Sequence, residues 1–173
     1  THVLVFARSD GRQGSARGIT CFVVPNPSDG LRIEEWLWTF NMPTDHPRVA
    51  VDNVWVPESA ILGEPGLGLA VAQHFVHENR IRQAASSLGT ARYCIAESVA
   101  YARERHTFGK PLAGNQAIQF RLAELHADYE LVKALTFQVA GEMDQMSKRE
   151  VAERLSDKVA ICNYRANKLA CEA

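Results

Sequence analysis

Two periodicities divide this chain. Up to about residue 62, apolar residues come in short blocks between turn residues. "HVLVFAR" (2–8) and "ITCFVVP" (19–25) are rich in β-branched and aromatic side chains, and the glycine-studded "SDGRQGSARG" (9–18) lies between them. This predicts two strands and a turn, with Pro25 and "NPSDG" (26–30) ending the second. "LRIEEW" (31–36) predicts a weaker third strand and "RVAVDNVWVP" (48–57) a fourth; Pro43 and Pro47 bracket an irregular loop.

After "ILGEPGLG" (61–68) the period changes from two to 3.6, and glycine and proline nearly vanish up to Thr107. Val71, Phe75, Ile81, Ala84, Ala85, Leu88, Ala91, Ile95 and Val99 fall at helical spacing and predict one helix over 67–104. It would be about 55 Å long at the helical rise. A compact monomer of this size cannot cover such a length, so a larger bundle or an oligomer is expected. "HTFGKPLAGN" (106–115) breaks the pattern. A second helix follows over 115–143, striped by Ile118, Leu122, Leu125, Tyr129, Val132, Leu135 or Thr136, Val139 and Met143. "SKRE" (147–150) reads as a capping box opening a third helix, with Val151, Leu155, Val159, Cys162, Ala166 and Leu169 on its buried face. The fold class expected is α+β: a small antiparallel β portion over 1–62, then long helices over 63–173.

Composition narrows the partners. Of 173 residues, 19 are basic and 20 acidic, a net charge of −1, so no basic field exists to hold nucleic acid or an anionic membrane. No apolar run approaches the roughly 18 residues of a membrane span. "THVLVFARSD" reads as the inside of a strand and predicts that the chain begins mid-protein. Cys21, Cys94, Cys162 and Cys171 form no C-x-x-C pair. That spacing predicts buried reduced thiols and an intracellular, reducing compartment; cytoplasm, mitochondrial matrix and peroxisome are not distinguished.

Two stretches carry candidate chemistry. "AQHFVHENRIRQA" (72–84) places His74, His77, Glu78 and Arg80 within seven residues. A zinc protease would need His-Glu-x-x-His, but the position required for the second His is Ile81. No metal is expected. "GEPGLG" (63–68) has the wrong spacing for a dinucleotide fingerprint, and no G-x-S-x-G elbow exists. The second stretch, "YARERHTFGKPLAGNQAIQF" (101–120), offers Arg105, the Thr107 hydroxyl and the backbone N–H groups of a short turn to one anion. Phe108 adds an aromatic surface and Gln116 an amide. That set suits a pyrophosphate attached to a flat heterocycle; an ordinary interhelical turn with a charged rim is the other reading.

"ARERHTFGKPLAGNQAIQFRLAELHADYE" resembles the helix–turn–helix of the acyl-CoA dehydrogenase family of flavoenzymes. There an Arg-x-Thr-Phe-Gly turn is followed eleven residues after the Arg by a Gln, the spacing of Arg105 and Gln116. "VDNVWVPESAILGEPGLGLAVAQ" also resembles the end of that family's middle β-domain and the start of its C-terminal helical bundle. The resemblance implies FAD as cofactor, an acyl-CoA substrate, an electron-transfer flavoprotein as acceptor, and a homodimer or homotetramer built through the C-terminal helices. It implies flavin contacts from Arg105, His106, Thr107, Phe108, Asn115 and Gln116. It places His77, Glu78, Asn79 and Arg80 in the wall of the acyl-CoA channel.

Some members carry the catalytic base immediately before that Arg. Asn79 stands there, and an amide is no base. Glu78 is the weak candidate, rotated by about 100° on the helix. Most members place the base later, so it is expected beyond Ala173 and no catalytic residue is expected here. The implied reaction is α,β-dehydrogenation of an acyl-CoA to a 2-enoyl-CoA, catalysed by a longer enzyme of which this chain is an incomplete and by itself inactive portion. A flavin oxidase of the same fold and a non-catalytic helical assembly module stay open as alternatives.

Overall fold

The computed structural model describes residues 1–39 and 42–173. It falls into two compact units, Thr1–Ala72 and Gln73–Ala173. The first is a small antiparallel β portion and the second is helical, as the change of period predicts.

In the first unit β1 (His2–Arg8) pairs antiparallel with β2 (Ile19–Pro25) from His2↔Pro25 to Arg8↔Ile19. The turn between them is held from within. Arg8 donates to the carbonyls of Ser15 at 2.7 Å and Arg17 at 3.1 Å. β3 (Leu31–Trp36) pairs with β4 (Pro47–Val51) in a second two-stranded ladder, with an irregularity between Ile33 and Glu35. The fourth strand is shorter than the expected 48–57. It stops at Val51 because Asn53 takes a left-handed conformation (φ 50°), which no strand can contain. Residues 61–67 then run along β2: Leu62 N–H donates to the Cys21 carbonyl at 2.9 Å, and Ile19 bridges Leu67. Gly68 opens the first helix directly against this strand, where a Cβ would lie 2.5 Å from the Cys21 nitrogen. Only glycine allows that approach.

The helix α1 (Gly68–Glu104) runs unbroken, as its uninterrupted 3.6 period requires. A short hairpin, β5 (His106–Thr107) and β6 (Lys110–Pro111), connects it to α2 (Gln116–Asp144). Asn115 caps α2, its side-chain oxygen accepting from Ala117 N–H at 3.0 Å. The Ser147–Glu150 capping box forms as expected. The single third helix does not. It is two: α3 (Lys148–Arg154) and α4 (Ser156–Glu172), interrupted at Leu155 (φ −122°, ψ −1°). Both pieces keep one buried face, and all six positions expected there are buried. With Ala84, Leu88, Ala91 and Ile95 of α1 and Leu125, Val132 and Val139 of α2, they form one continuous core.

Burial on α1 departs from the expected stripe in one instructive place. Stepping back from Ile95 by alternating fours and threes gives Ala91, Leu88, Ala84, Ile81 and then His77. His77 is 3% exposed, whereas the more apolar Phe75, off that register, is 62% exposed beneath the Arg82 guanidinium. Ala85 is likewise exposed. Register rather than hydrophobicity decides which side chain faces the core. In α2 the same rule selects Thr136 over Leu135; the Thr136 hydroxyl donates to the Val132 carbonyl at 2.8 Å and so meets its own need.

All four cysteines are free thiols. Cys21 and Cys162 are buried as expected, and burial pushes both thiols above their ordinary pKa. Cys171 is exposed and Cys94 half-buried, against the expectation of four buried thiols. They fall off the buried register of their helices.

Candidate functional site

The 77–80 segment lies in the second turn of the helical unit's share of α1, against the junction of α3 and α4. His77 Nε2 lies 3.1 Å from the Ser156 hydroxyl. That hydroxyl donates its one proton to the Ala152 carbonyl at 2.6 Å. The bond to His77 must therefore be donated by Nε2–H, which makes Nδ1 the bare acceptor of a neutral imidazole. Nδ1 is buried and has no hydrogen-bond partner among the described residues. Burial pushes the His77 pKa below its ordinary value, and the Arg80 and His74 charges push the same way.

The rest of the segment looks outward. Asn79 and Arg80 are half-buried, and Glu78 is exposed and paired with Lys148 at 3.3 Å. A solvated, ion-paired carboxylate is not the desolvated base that proton abstraction needs. Arg80 is also held by its backbone: Asn163 of α4 donates to its carbonyl at 3.2 Å and to the Gln83 side-chain oxygen at 3.2 Å. Asn167 and Ser87 continue this polar ladder between α1 and α4. Next to His77 opens a cleft of about 240 Å³ lined by His74, His77, Glu78, Met143, Asp144 and Lys148 among others. Among the described residues no group of three or more His, Cys, Asp or Glu is placed to hold a metal.

The sequence held no sign of Ser156 or Asn163. Both are ordinary polar residues of a helix until the packing puts them against α1. The burial of His77 was detectable, through the register of the stripe.

The second candidate stretch is arranged differently. Thr107 and Lys110 pair across a two-residue loop, Phe108 (φ 51°) and Gly109 (φ 78°). Positive φ at both positions is the geometry of a type I′ turn, which matches the twist of a hairpin. Glycine adopts it freely; phenylalanine does so under strain. The Phe108 ring is fully exposed, so no packing within this unit compensates that strain. Arg105 is exposed, and its guanidinium has no hydrogen-bond or ion-pair partner among the described residues. Its carbonyl accepts from Leu112 N–H at 2.7 Å, which closes the base of the hairpin. His106 turns back to the Glu104 carbonyl at 3.0 Å, and Asn115 is engaged in capping α2. Gln116 stands exposed in the electropositive first turn of that helix. A cation, an aromatic face and a helix start are thus each exposed along the 105–116 stretch. Such a set can hold an anion attached to a planar ring.

Comparison with known proteins agrees with this architecture. The model of the acyl-CoA dehydrogenase C-terminal domain matches residues 66–173. The short-chain specific acyl-CoA dehydrogenase of Bos taurus mitochondria is 36% identical over 141 residues, 80% of this chain and 34% of the bovine protein. A 3-(aryl)acrylate reductase of Clostridium sporogenes is 35% identical over 146 residues, 83% of this chain and 38% of the reductase. The structure of glutaryl-coenzyme A dehydrogenase in its glutaryl-CoA complex superposes with a TM-score of 0.79 at 26% identity, covering 99% of this chain and 42% of that one. The chain therefore spans only about a third of the curated relatives it matches.

Proposed function

Because the chain belongs to the acyl-CoA dehydrogenase family, we propose that it is part of an FAD-dependent oxidoreductase that converts an acyl-CoA to a 2-enoyl-CoA. Residues 1–62 would belong to the middle β-domain and 63–173 to the C-terminal helical bundle. The observation that carries the reading is the 105–116 turn, where the Arg105 guanidinium has no partner among the described residues and Phe108 is strained and solvent-facing.

These residues fit the ADP portion of a flavin. Arg105 is free to form a charge-assisted contact with a pyrophosphate. Thr107 adds a hydroxyl, Phe108 a surface for a ring, and Asn115 and Gln116 the electropositive start of α2. His106 stiffens the turn through its bond to the Glu104 carbonyl. Arg105, Phe108 and Gln116 are exposed, which supports a flavin supplied from a neighbouring subunit. The exposed Leu131 and Phe137 of α2 support homodimer or homotetramer association through these helices.

FAD, when bound, accepts the hydride that leaves the substrate β-carbon. The 77–80 segment would form part of the wall of the acyl-CoA channel, with Arg80 facing the substrate. The base that removes the α-proton is assigned outside this chain, because Glu78 is solvated and ion-paired. An electron-transfer flavoprotein is the acceptor proposed for the electrons, and a reducing compartment the setting. Among the described residues no helix is long and apolar enough to cross a membrane.

The test is anaerobic titration of the full-length protein with acyl-CoA thioesters of graded chain length. Bleaching of the flavin by one of them is expected, and no bleaching by any would sink the proposal. Rapid oxygen consumption without an added acceptor would point to an oxidase instead. The likeness to a 3-(aryl)acrylate reductase supports a second reading, in which the reaction runs toward the saturated product. Reoxidation of pre-reduced flavin by an arylacrylate substrate would favour it.

A further inference from the structure

His77 is a polar residue in a core position. Its imidazole is 3% exposed, on the register that elsewhere on α1 holds Ile81, Ala84 and Leu88. Its Nε2–H donates to Ser156 at 3.1 Å, and Ser156 donates on to the Ala152 carbonyl at 2.6 Å. Ser156 is the first residue after the helix interruption at Leu155. Ala152 lies four residues before it, where the interruption disturbs the helical ladder, and the hydroxyl supplies that carbonyl with a donor. The chain His77–Ser156–Ala152 thus ties α1 to the one irregular point of the α3–α4 pair. One turn along α1, Asn163 holds the carbonyl of Arg80. The backbone that carries Arg80 is therefore gripped from α4 on both sides.

We infer that His77 is a positioning residue for Arg80: its neutral Nε2–H form, bonded to Ser156 at the α3–α4 break, fixes the α1 turn that presents Arg80, and a second proton on the imidazole loosens that turn. This inference rests on the proposed role of Arg80 in the substrate wall. It gives His77 a task other than touching the substrate.

The geometry explains why a second proton is disruptive. It would sit on Nδ1, which is buried without an acceptor among the described residues. An unpaired buried N–H bearing charge is costly. Arg80 and His74 of the same helix repel it, and their charges together with burial already hold the pKa down. Glu78 faces the same cleft but is engaged by Lys148. Asp144, from the end of α2, is the other carboxylate lining that cleft. To pair with Asp144 or reach water, the protonated ring would have to leave Ser156, and Arg80 would shift with it.

The experiment compares wild type, His77→Gln and His77→Ala of the full-length holoenzyme at about pH 7.5 and about pH 5.5, on either side of the ordinary histidine pKa. Glutamine keeps an N–H donor for Ser156 but cannot titrate in this range. Two readouts are taken: KM and kcat for the acyl-CoA that bleaches the flavin, and hydrogen exchange of the α1 peptide spanning 74–83, corrected for intrinsic rates. At the higher pH, His77→Ala should raise KM about tenfold with little change in kcat, the loss of one buried hydrogen bond. His77→Gln should restore KM to within about twofold. Acidification should raise KM and exchange in wild type, but much less in His77→Gln. If acid opens α1 equally in wild type and His77→Gln, or if His77→Ala leaves both KM and exchange unchanged, the inference is overturned. If no acyl-CoA bleaches the wild-type flavin, the proposed function fails instead; hydrogen exchange still decides whether His77 latches α1. Ser156→Ala provides the same reading where His77→Ala does not fold.

Discussion

The 77–80 segment and the 105–116 turn belong to the same helical unit but are built on opposite principles. The first is held by its own chain: His77 is buried and bonded to Ser156, and Asn163 grips the Arg80 carbonyl. The second is finished only as backbone. Its hairpin is closed and its helix capped, while the Arg105 guanidinium has no partner among the described residues and Phe108 is strained and exposed. A buried polar site bonded to its own chain is organised before any ligand arrives. An exposed, strained site keeps its hydrogen-bonding capacity for something outside the chain. Substitutions in the two places should therefore fail in different ways.

The largest difference should come from the packing under the first site. Leu155 is almost fully buried at the interruption next to Ser156. Leu155→Ala should cost about 3 kcal/mol of stability by opening a cavity, read as a lower denaturation midpoint of the full-length protein. In the turn, Arg105→Ala should leave that midpoint unchanged and weaken flavin binding by about 2 kcal/mol, the scale of a charge-assisted hydrogen bond. Flavin retained through gel filtration measures it, and full retention would remove Arg105 from the cofactor site.

Phe108→Gly sharpens the contrast, because its two effects have opposite signs. Relief of the left-handed strain should stabilise the flavin-free protein by about 1 kcal/mol. Loss of the ring should weaken flavin binding. A variant destabilised in both respects would show that Phe108 is a packing residue after all.

The smallest effect is a pH dependence. The folded-state pKa of His77 is lowered, by burial first and then by Arg80 and His74. Between the folded and unfolded values the unfolded chain binds more protons, so this histidine's contribution to stability rises with pH. It is complete above the unfolded value of about 6.5 and is lost as pH falls below it toward the folded value. The denaturation midpoint of wild type should drop on acidification more than that of His77→Gln; equal drops would assign the loss to other groups.

Most element boundaries follow from local rules. The change from period two to 3.6 near residue 62, the Asn115 cap and the Ser147–Glu150 box depend on residues close together in sequence, so their signals are local too. The end of β4 was harder to see. "DNVWV" has strand composition, and only the left-handed Asn53 stops it. The break at Leu155 carries no glycine or proline.

By itself the sequence determined that strands precede long helices, that residues 151–169 bury one continuous face, and that Arg105 and Gln116 flank a turn at a spacing typical of a flavoenzyme family. Those properties depend on the order of side chains along a single element. Only the tertiary structure decided that His77 rather than Phe75 faces the core, that Ser156 and Asn163 hold the turn bearing Arg80, and that Phe108 stands free in a strained conformation. Each of these depends on which residue a second helix brings opposite, and neither periodicity nor composition encodes a helix's partner or the rotation at which the two meet.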